Sequence, residues 1–224
     1  MAFQTSIYNK LIKELDLAGV TLVAVTKTKP VEDLMEAYEE GIRDFGENYV
    51  QELTDKQALL PKDIRWHFIG HLQTNKVKYI APFVHLIHGV DSEKLLVEIN
   101  KQGKKNNRII NCLLQVHIAR EETKFGFDET ELMELIHRLS NNLLPLEHIN
   151  ICGLMGMASF TNNVTIVESE FSALHAIYNN IKSTVENNIN ISVLSMGMSN
   201  DYATAIAQGS NMVRIGSMLF GSRN

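Results

Sequence analysis

The stretch VAVTKTKP, residues 23–30, places an apolar run directly before two lysines and a proline. Its β-branched residues are typical of a buried strand, and proline is common at the first position of a helix. The segment before it predicts a leading helix over about residues 4–18, because an apolar stripe at helical spacing precedes Gly19. The start of the chain therefore reads as helix, strand, lysine-bearing loop and helix.

The same alternation of strand and helix patterns continues along the chain. The short apolar runs lie near residues 20–25, 42–45, 65–69, 84–89, 109–116, 149–154, 191–196 and 211–215. Eight βα units within 224 residues predict an α/β fold, a (β/α)₈ barrel of the TIM type that forms one domain over residues 1–224. An open doubly wound sheet is the alternative, because strand order cannot be read from a single sequence.

The composition limits the classes of partner. The 26 Asp and Glu residues exceed the 21 Lys and Arg residues, and the net charge of −5 argues against binding nucleic acid or an anionic membrane. The N-terminus has no signal-peptide pattern, and no apolar run reaches the roughly 18–20 residues that cross a bilayer. We therefore expect a cytoplasmic protein that binds a small metabolite.

The functional groups of such a barrel stand where its strands end, and Lys27 ends the first strand. The alternative interpretation is that Lys27 is only the first solvated residue of an ordinary loop. The seventh and eighth runs end in SMGMSND (195–201) and VRIGSMLFG (213–221), which each join a strand to glycine and serine. Hydroxyl and backbone N–H groups near Ser199 and Ser217 predict a phosphate cup, whereas the alternative is tight turns with an ordinary helix cap.

Arg214 adds a permanent positive charge near the end of the eighth strand, where burial requires an acceptor or solvent. A salt bridge at the barrel rim is the alternative interpretation. Because strand eight pairs with strand one in a closed barrel, Lys27 and the phosphate cup should be neighbours. A lysine in an apolar site can form a Schiff base with a carbonyl compound. These features together predict a phosphorylated aldehyde or ketone, and pyridoxal 5′-phosphate (PLP) has both groups.

Seven stretches carry a family resemblance. They are AVTKTKP (24–30), FGENYVQE (45–52), WHFIGHLQTNK (66–76), TKFGF (123–127), GLMGM (153–157), SMGMSND (195–201) and MVRIGSMLFG (212–221). In this order they resemble the pyridoxal phosphate homeostasis proteins, which have the barrel of alanine racemase without its second domain. The resemblance implies a non-catalytic protein that stores, delivers or buffers PLP inside the cell, with PLP-dependent apo-enzymes as recipients and a monomer or weak dimer as the assembly.

The same resemblance implies a set of cofactor-binding residues. They are Lys27, Asn48, Met157, Ser199, Arg214, Gly216 and Ser217. Lys27 is expected to form the Schiff base, Asn48 to approach the cofactor from the second strand end, and Met157 to lie beneath or beside the ring. The two serines and the glycine are expected to hold the phosphate, with the arginine toward the pyridine nitrogen. Lys29 and Lys124 belong to the same motifs and are not the expected attachment points.

Two enzymatic alternatives remain at this stage, a PLP-dependent amino-acid racemase and a PLP-free Schiff-base aldolase. A racemase needs a second acid/base opposite the lysine, and we expect none because the sequence ends at Asn224 without a further domain. Tyr49 and Tyr202 are the tyrosines near predicted strand ends. An aldolase needs an acid/base near its lysine, and only Glu47 and Asp91 provide carboxylates at strand ends. We therefore predict no catalytic residues.

Four histidines raise the question of a metal. The spacing of His67 and His71 suits two ligands on a helix, but His67 lies in a predicted strand and no acid stands at a ligand-like interval. His85 and His88 should face different sides of one strand, because their positions differ by three. We expect a structural or pocket-wall role for all four, and no metal.

Overall fold

The chain forms a closed barrel of parallel strands surrounded by helices, and the computed structural model describes residues 3–121, 125–186 and 188–221. The strands in these ranges are β1 (Thr21–Val25), β2 (Asp44–Glu47), β3 (Arg65–Phe68), β4 (Leu86–Val90), β5 (Ile110–Gln115), β6 (Ile149–Met155), β7 (Val185–Glu186), β8 (Ile189–Met198) and β9 (Met212–Ile215). The short β7 pairs antiparallel with β8, and the other eight strands form the barrel.

The helices follow the strands in regular alternation. They are α1 (Thr5–Ala18), α2 (Val31–Glu39), α3 (Val50–Leu59), α4 (Val77–Ile80), α5 (Glu93–Lys105), α6 (Glu129–Ser140), α7 (Val164–Ile181), α8 (Tyr202–Ala207) and α9 (Ser217–Phe220). The predicted leading helix is α1, and it ends at Gly19 with a left-handed φ of 66°. None of the helices in the described ranges is long and apolar enough to span a membrane.

The pairing of β9 with β1 and of β6 with β8 closes the sheet, so the predicted TIM-type barrel is confirmed and the open sheet is excluded. Closure places the carboxyl ends of β1, β8 and β9 side by side, although β1 and β8 lie far apart in the chain. The prediction that Lys27 neighbours the ends of the last two barrel strands follows from this pairing.

The bounds of the second strand were predicted incorrectly. The apolar pattern placed it at residues 42–45, but β2 covers Asp44–Glu47, paired residue by residue with Arg65–Phe68 of β3. Both acidic residues are buried, Asp44 near Arg65 and Glu47 beside Lys56. A strand that buries charged residues against distant partners has no apolar alternation, so the pattern gave the wrong register.

The barrel interior is divided into an apolar cluster and a polar centre. Val23, Leu86, Leu113, Met155 and Met212 pack together as the inner apolar cluster, and a larger apolar layer lies between the barrel and its helices. Polar side chains from β2, β3, β4, β8 and β9 fill the rest of the interior. These polar groups connect the interior to the cavity at the carboxyl ends of the strands.

Candidate functional site

A cavity of about 760 Å³ opens at the carboxyl ends of the barrel strands. All seven residues predicted to bind the cofactor line this cavity: Lys27, Asn48, Met157, Ser199, Arg214, Gly216 and Ser217. They come from the ends of β1, β2, β6, β8 and β9, where functional groups of this barrel type stand. The fold therefore brings together residues that are spread over most of the sequence.

Lys27 lies in a tight turn over residues 26–29. The backbone N–H of Lys29 donates to the oxygen of Thr26 at 3.0 Å, which closes the turn. Thr28 occupies the third position of the turn with a φ of 63°, a left-handed conformation that suits glycine and strains a β-branched residue. The chain therefore reverses direction directly after Lys27, which lines the cavity.

An ionic cluster on α3 and β2, with two buried members and one partly exposed member, contacts the backbone of this turn. The cluster consists of Glu47, Glu52 and Lys56, and we call it the turn clamp. Lys56 Nζ donates to the backbone oxygen of Thr26 at 2.7 Å, and it pairs with Glu47 at 2.7 Å and Glu52 at 2.6 Å. Glu52 Oε1 also accepts the backbone N–H of Thr28 at 2.6 Å. The clamp thus contacts the residue on each side of Lys27.

The carboxylate of Glu47 lies in an unfavourable environment for a negative charge. Its side chain is fully buried, and burial raises its pKa, although Lys56 and the hydroxyl of Thr26 oppose that increase. The second oxygen, Oε2, has no hydrogen-bond partner among the described residues. Sequence reasoning named Glu47 only as a strand-end carboxylate for the aldolase alternative and gave Glu52 and Lys56 no role, although their spacing by four residues on a helix is typical of an ion pair.

The ends of β8 and β9 meet at the predicted phosphate cup. The backbone N–H of Gly216 donates to Ser199 Oγ at 3.3 Å, so the two loops are in direct contact. Ser199 is not a helix cap, because α8 begins at Tyr202 with Asp201 before it. Gly197 lies inside β8 with a φ of 96°, where an added Cβ would stand 2.6 Å from Ala205. This glycine permits the irregular end of β8 that presents Ser199 to the cavity.

Asn48 occupies the opposite wall, directly after β2. Its Oδ1 atom is buried and has no hydrogen-bond partner within the described part of the chain. The neighbouring loop approaches so closely that a Cβ on Gly70 would collide with the backbone oxygen of Asn48. A buried acceptor without a donor is costly, so this amide is suited to a ligand that donates or to a bridging water.

Arg214 lies at the floor of the cavity and is 3% exposed. Its Nη1 donates to the backbone oxygen and the hydroxyl of Ser195, at 2.8 and 2.6 Å, and its Nη2 donates to the oxygen of Gly156 at 3.0 Å. It therefore binds backbone and hydroxyl acceptors instead of the predicted alternative, a salt bridge at the rim. Burial lowers its pKa to about 10, against the opposing charge of Asp201, so the guanidinium stays charged at neutral pH.

The contacts of Arg214 continue through the barrel as a chain of buried groups, which we call the inner polar chain: Arg214, Ser195, His88, His67 and Asp44. Ser195 Oγ lies 3.3 Å from His88 Nδ1, and His88 Nε2 lies 2.9 Å from His67 Nδ1. His67 Nε2 lies 2.9 Å from Asp44 Oδ1. The chain spans the interior from the cavity floor to the opposite end of the barrel.

The carboxylate of Asp44 fixes the direction of these hydrogen bonds. Burial alone would raise its pKa, but hydrogen bonds from His67 and Arg65 lower the pKa to about 2, so Asp44 is ionised and accepts. His67 then donates from Nε2 and, when neutral, accepts from His88 at Nδ1. Burial lowers the pKa of His88 well below its usual range, so this histidine is neutral and accepts from Ser195. The hydrogen bonds between successive members of the chain therefore run in one direction, from Arg214 as donor to Asp44 as acceptor.

The other predicted groups have separate partners. Lys29 Nζ donates to the backbone oxygen of Phe220 at 2.6 Å, which ties the first loop to α9. Tyr49 is 57% exposed, and the hydroxyl of Tyr202 lies 3.4 Å from Glu14. Asp91 pairs with the ring of His71 at 2.9 Å. Lys124 lies outside the described residues.

The expectation that His85 and His88 face different sides was wrong. Both rings pack against the ring of His67, with centroids 5.4 and 5.2 Å away. The parity rule does not apply to His85, because β4 begins one residue later, at Leu86. Within the described ranges, no three His, Cys, Asp or Glu side chains stand close enough together to hold a metal ion.

Comparison with known proteins places this architecture in a family. Residues 8–224 match the family model described as alanine racemase, N-terminal domain. The pyridoxal phosphate homeostasis protein of Pasteurella multocida is 39% identical over 210 residues, which cover 92% of this chain and 88% of that protein. The protein of the same description from Schizosaccharomyces pombe is 39% identical over 208 residues, or 92% of this chain and 85% of that one.

Solved structures of related proteins have the same fold as this chain. PipY of Synechococcus elongatus, in its structure with PLP bound, superposes with a TM-score of 0.85 at 32% identity and covers 97% of this chain and 99% of that one. Alanine racemase of Streptomyces coelicolor has a TM-score of 0.74 at 14% identity and covers 99% of this chain but 60% of that one, so it shares the fold. The chain belongs to the alanine racemase N-terminal domain family and, within it, to the pyridoxal phosphate homeostasis proteins.

Proposed function

We propose that the protein is a non-catalytic PLP-binding protein of intracellular PLP homeostasis, which stores, delivers or buffers the cofactor. The observation that carries this proposal is the convergence of all seven predicted residues on one cavity. The 32% identical PipY, whose structure is described with PLP bound, supports it further. The cofactor is held as a Schiff base on Lys27, with its phosphate in the cup after β8 and β9.

The residues of the cavity fit PLP. Its volume lies in the range of roughly 300–1,000 Å³ that is usual for small-molecule sites. The buried Oδ1 of Asn48 offers an acceptor that lacks a donor among the described residues. Met157, which packs against the inner apolar cluster, offers an apolar wall for a planar ring. An acceptor and apolar surface are therefore available for the polar and aromatic parts of the cofactor.

Each of these residues has a distinct role in the proposal. PLP supplies an aldehyde and a phosphate when it is bound. The unprotonated amine of Lys27 condenses with the aldehyde, so that a C=N bond replaces the C=O bond and one water leaves. The hydroxyls of Ser199 and Ser217, with backbone N–H groups of the same loops, donate to the phosphate. Ser199 lies 3.3 Å from the N–H of Gly216, so these donors are already adjacent.

Three observations are compatible with a binding role without turnover. A charged guanidinium beside the pyridine nitrogen disfavours a proton on that nitrogen and weakens the electron sink that PLP enzymes use. Two groups that the sequence offered as acid/bases have partners of their own, Asp91 with His71 and Tyr202 with Glu14. The relatives are named homeostasis proteins, and the racemase shares the fold at 14% identity. Delivery to PLP-dependent apo-enzymes, a monomer or weak dimer, and a cytoplasmic location stay predictions.

The test is to reduce the PLP-loaded protein with borohydride and to map the pyridoxyl label by mass spectrometry. We expect the label on Lys27. A label mainly on Lys29 or Lys124 would contradict the Lys27 assignment. Chiral analysis after long incubation with alanine and serine should detect no racemisation, and multiple turnovers that depend on Lys27 would favour the racemase instead.

A further inference from the structure

The turn that carries Lys27 is strained at an unusual residue. Thr28, Asn107 and Asn142 are the non-glycine residues with positive φ in the described ranges. Asparagine tolerates the left-handed region because its short polar side chain bonds locally, whereas a β-branched threonine is disfavoured there. The turn therefore requires an external interaction to hold Thr28 in this conformation, and such strain is often found at functional sites.

The turn clamp provides that interaction on both sides of Lys27. Lys56 donates to the backbone oxygen of Thr26, and Glu52 accepts the backbone N–H of Thr28. Both hydrogen bonds involve a charged group and reach the backbone of the turn at 2.6–2.7 Å. Charge-assisted bonds of this length are roughly twice as strong as neutral ones. The clamp is thus connected to the two peptide groups that set the direction of Lys27.

A role in fold stability alone does not account for this arrangement. The clamp places one buried carboxylate, Glu47, and one partly exposed carboxylate, Glu52, against a buried lysine, and Glu47 keeps an oxygen without a partner in the described part of the chain. Buried ion pairs are weak contributors to stability, because desolvation offsets much of the attraction. Apart from the bonds among its own members, the side-chain hydrogen bonds of this clamp in the described ranges reach Thr26 and Thr28, so its side-chain contacts are concentrated on the Lys27 turn.

We propose that Glu52 and Lys56, supported by Glu47, are positioning residues that hold the strained turn and thereby direct Lys27 at the aldehyde of the cofactor. This inference rests on the proposed function, because it takes Lys27 as the attachment residue. The clamp acts on the backbone and not on the cofactor. Its loss should slow attachment at Lys27 while the phosphate cup still binds.

The main variant is Glu52→Ala, which removes the acceptor for Thr28. The matched control is Asp55→Ala on the same helix, whose exposed carboxylate bonds to Gln51. In cofactor-free protein, hydrogen exchange at the turn should become about tenfold faster in Glu52→Ala, as expected for the loss of a charged hydrogen bond. At equal bound PLP, the rate of borohydride labelling at Lys27 should fall by about tenfold, or about 1.4 kcal/mol. Asp55→Ala should match the wild type in both measurements.

A second variant separates positioning from a general loss of structure. Glycine adopts positive φ without strain, so Thr28→Gly should reduce the need for the clamp. The double variant Thr28→Gly with Glu52→Ala should therefore label Lys27 faster than Glu52→Ala alone, by about threefold or more, within the range of the strain relieved. Glu52→Gln keeps an amide oxygen for Thr28 and should fall between the wild type and Glu52→Ala.

The outcomes distinguish the two proposals. If Lys27 is labelled in the wild type and is labelled at the same rate in Glu52→Ala, the positioning role is overturned. The same conclusion would follow if Thr28→Gly gave no recovery in the Glu52→Ala background, since strain at Thr28 would then not be what the clamp restrains. Absence of label at Lys27 in the wild type would instead overturn the proposed function, and the exchange rates of the cofactor-free protein would still report whether the clamp holds the turn. Should Glu52→Ala fail to fold, Glu52→Gln supplies the same comparison.

Discussion

The turn clamp and the inner polar chain are two buried polar clusters that hold different residues of one cavity. The turn clamp lies between α3 and the outside of the barrel, is ionic, and contacts the backbone around Lys27. The inner polar chain lies inside the barrel, has a charged group at each end with a hydroxyl and histidine rings between them, and includes the side chain of Arg214. Each cluster thus contacts the surroundings of one basic residue that lines the cavity, but the turn clamp does so through backbone groups and the inner polar chain through a side chain.

The difference follows from the chemistry of the two cations. The planar guanidinium of Arg214 has several fixed donors, so acceptors placed around it determine its orientation directly. Lysine is a point charge on a flexible stem, and under the proposed function the amine of Lys27 must stay available for reaction. A site can therefore direct Lys27 best through its backbone. This comparison predicts effects of different size and kind when each region is altered.

The largest effect should come from Lys27→Ala. Without the amine, borohydride should fix essentially no label at this position, whereas PLP should still associate weakly through its phosphate. Absorption spectra and peptide mapping measure both properties, with the exposed Lys62 as a control substitution. A full label on another lysine of the variant at wild-type rate would show that the position of Lys27 is not special.

Removal of the phosphate from the ligand should have the next largest effect. A phosphate carries close to two negative charges, and each charge-assisted hydrogen bond contributes about 1.5–3 kcal/mol. Pyridoxal should therefore bind apo-protein more weakly than PLP by at least about 3 kcal/mol, or more than a hundredfold. The double variant Ser199→Ala with Ser217→Ala should lose less affinity for PLP than the wild type loses when pyridoxal replaces PLP, because the backbone donors of the cup remain. Spectroscopic titration compares them, and similar affinities for the two ligands would exclude the cup as the main source of binding energy.

The inner polar chain should respond to His88→Phe. The change leaves the hydroxyl of Ser195 and Nδ1 of His67 without their partner, and a buried unpaired polar group costs about 1–3 kcal/mol. We expect a loss of about 2 kcal/mol in the free energy of unfolding, with weaker PLP binding as Arg214 loses its support. Urea unfolding measures the first effect. The control is His85→Phe. The ring of His85 packs against His67 without a hydrogen bond to the inner polar chain, so this substitution should change the free energy of unfolding little.

The smallest effect is a pH dependence of stability. His88 has a lowered pKa in the folded protein because of burial and the nearby His67, Arg214 and His85, whereas an unfolded histidine has a pKa near 6.5. The unfolded state therefore binds more protons, and stability should fall as the pH drops below about 6.5, by at most about 1.4 kcal/mol per pH unit. His88→Phe should flatten this slope between pH 7 and 5. An equal slope in wild type and variant would assign the effect to other groups.

Asp44 should titrate in a separate, more acidic range. Its pKa is lowered to about 2 in the folded protein, so its contribution is present above the unfolded value near 3.9 and is lost as the pH falls toward 2. This window lies well below that of His88. The two ends of the inner polar chain therefore contribute to stability over different ranges of pH.

The site was predictable to the extent that its residues follow strands. Lys27 and the Gly-Ser loops after β8 and β9 stand at strand ends, which the apolar pattern located within about two residues. Glu47 and Arg214 were noticed at strand ends, but the hydrogen bonds that join them into the turn clamp and the inner polar chain were not predicted. A buried Glu47 or His88 looks like any polar residue until its partner is known, and Ser195 follows its partner His88 by 107 residues.

The sequence by itself determined the alternation of strands and helices and the chemical groups at the strand ends, because local patterns of apolar, glycine and serine residues encode them. The tertiary structure alone decided which of these groups share a cavity and how the cations there are held. Barrel closure places β9 beside β1, and burial of a charge depends on partners supplied by other elements. Lys27 and Arg214 were therefore visible in the sequence, whereas the groups that orient them became visible only in the folded chain.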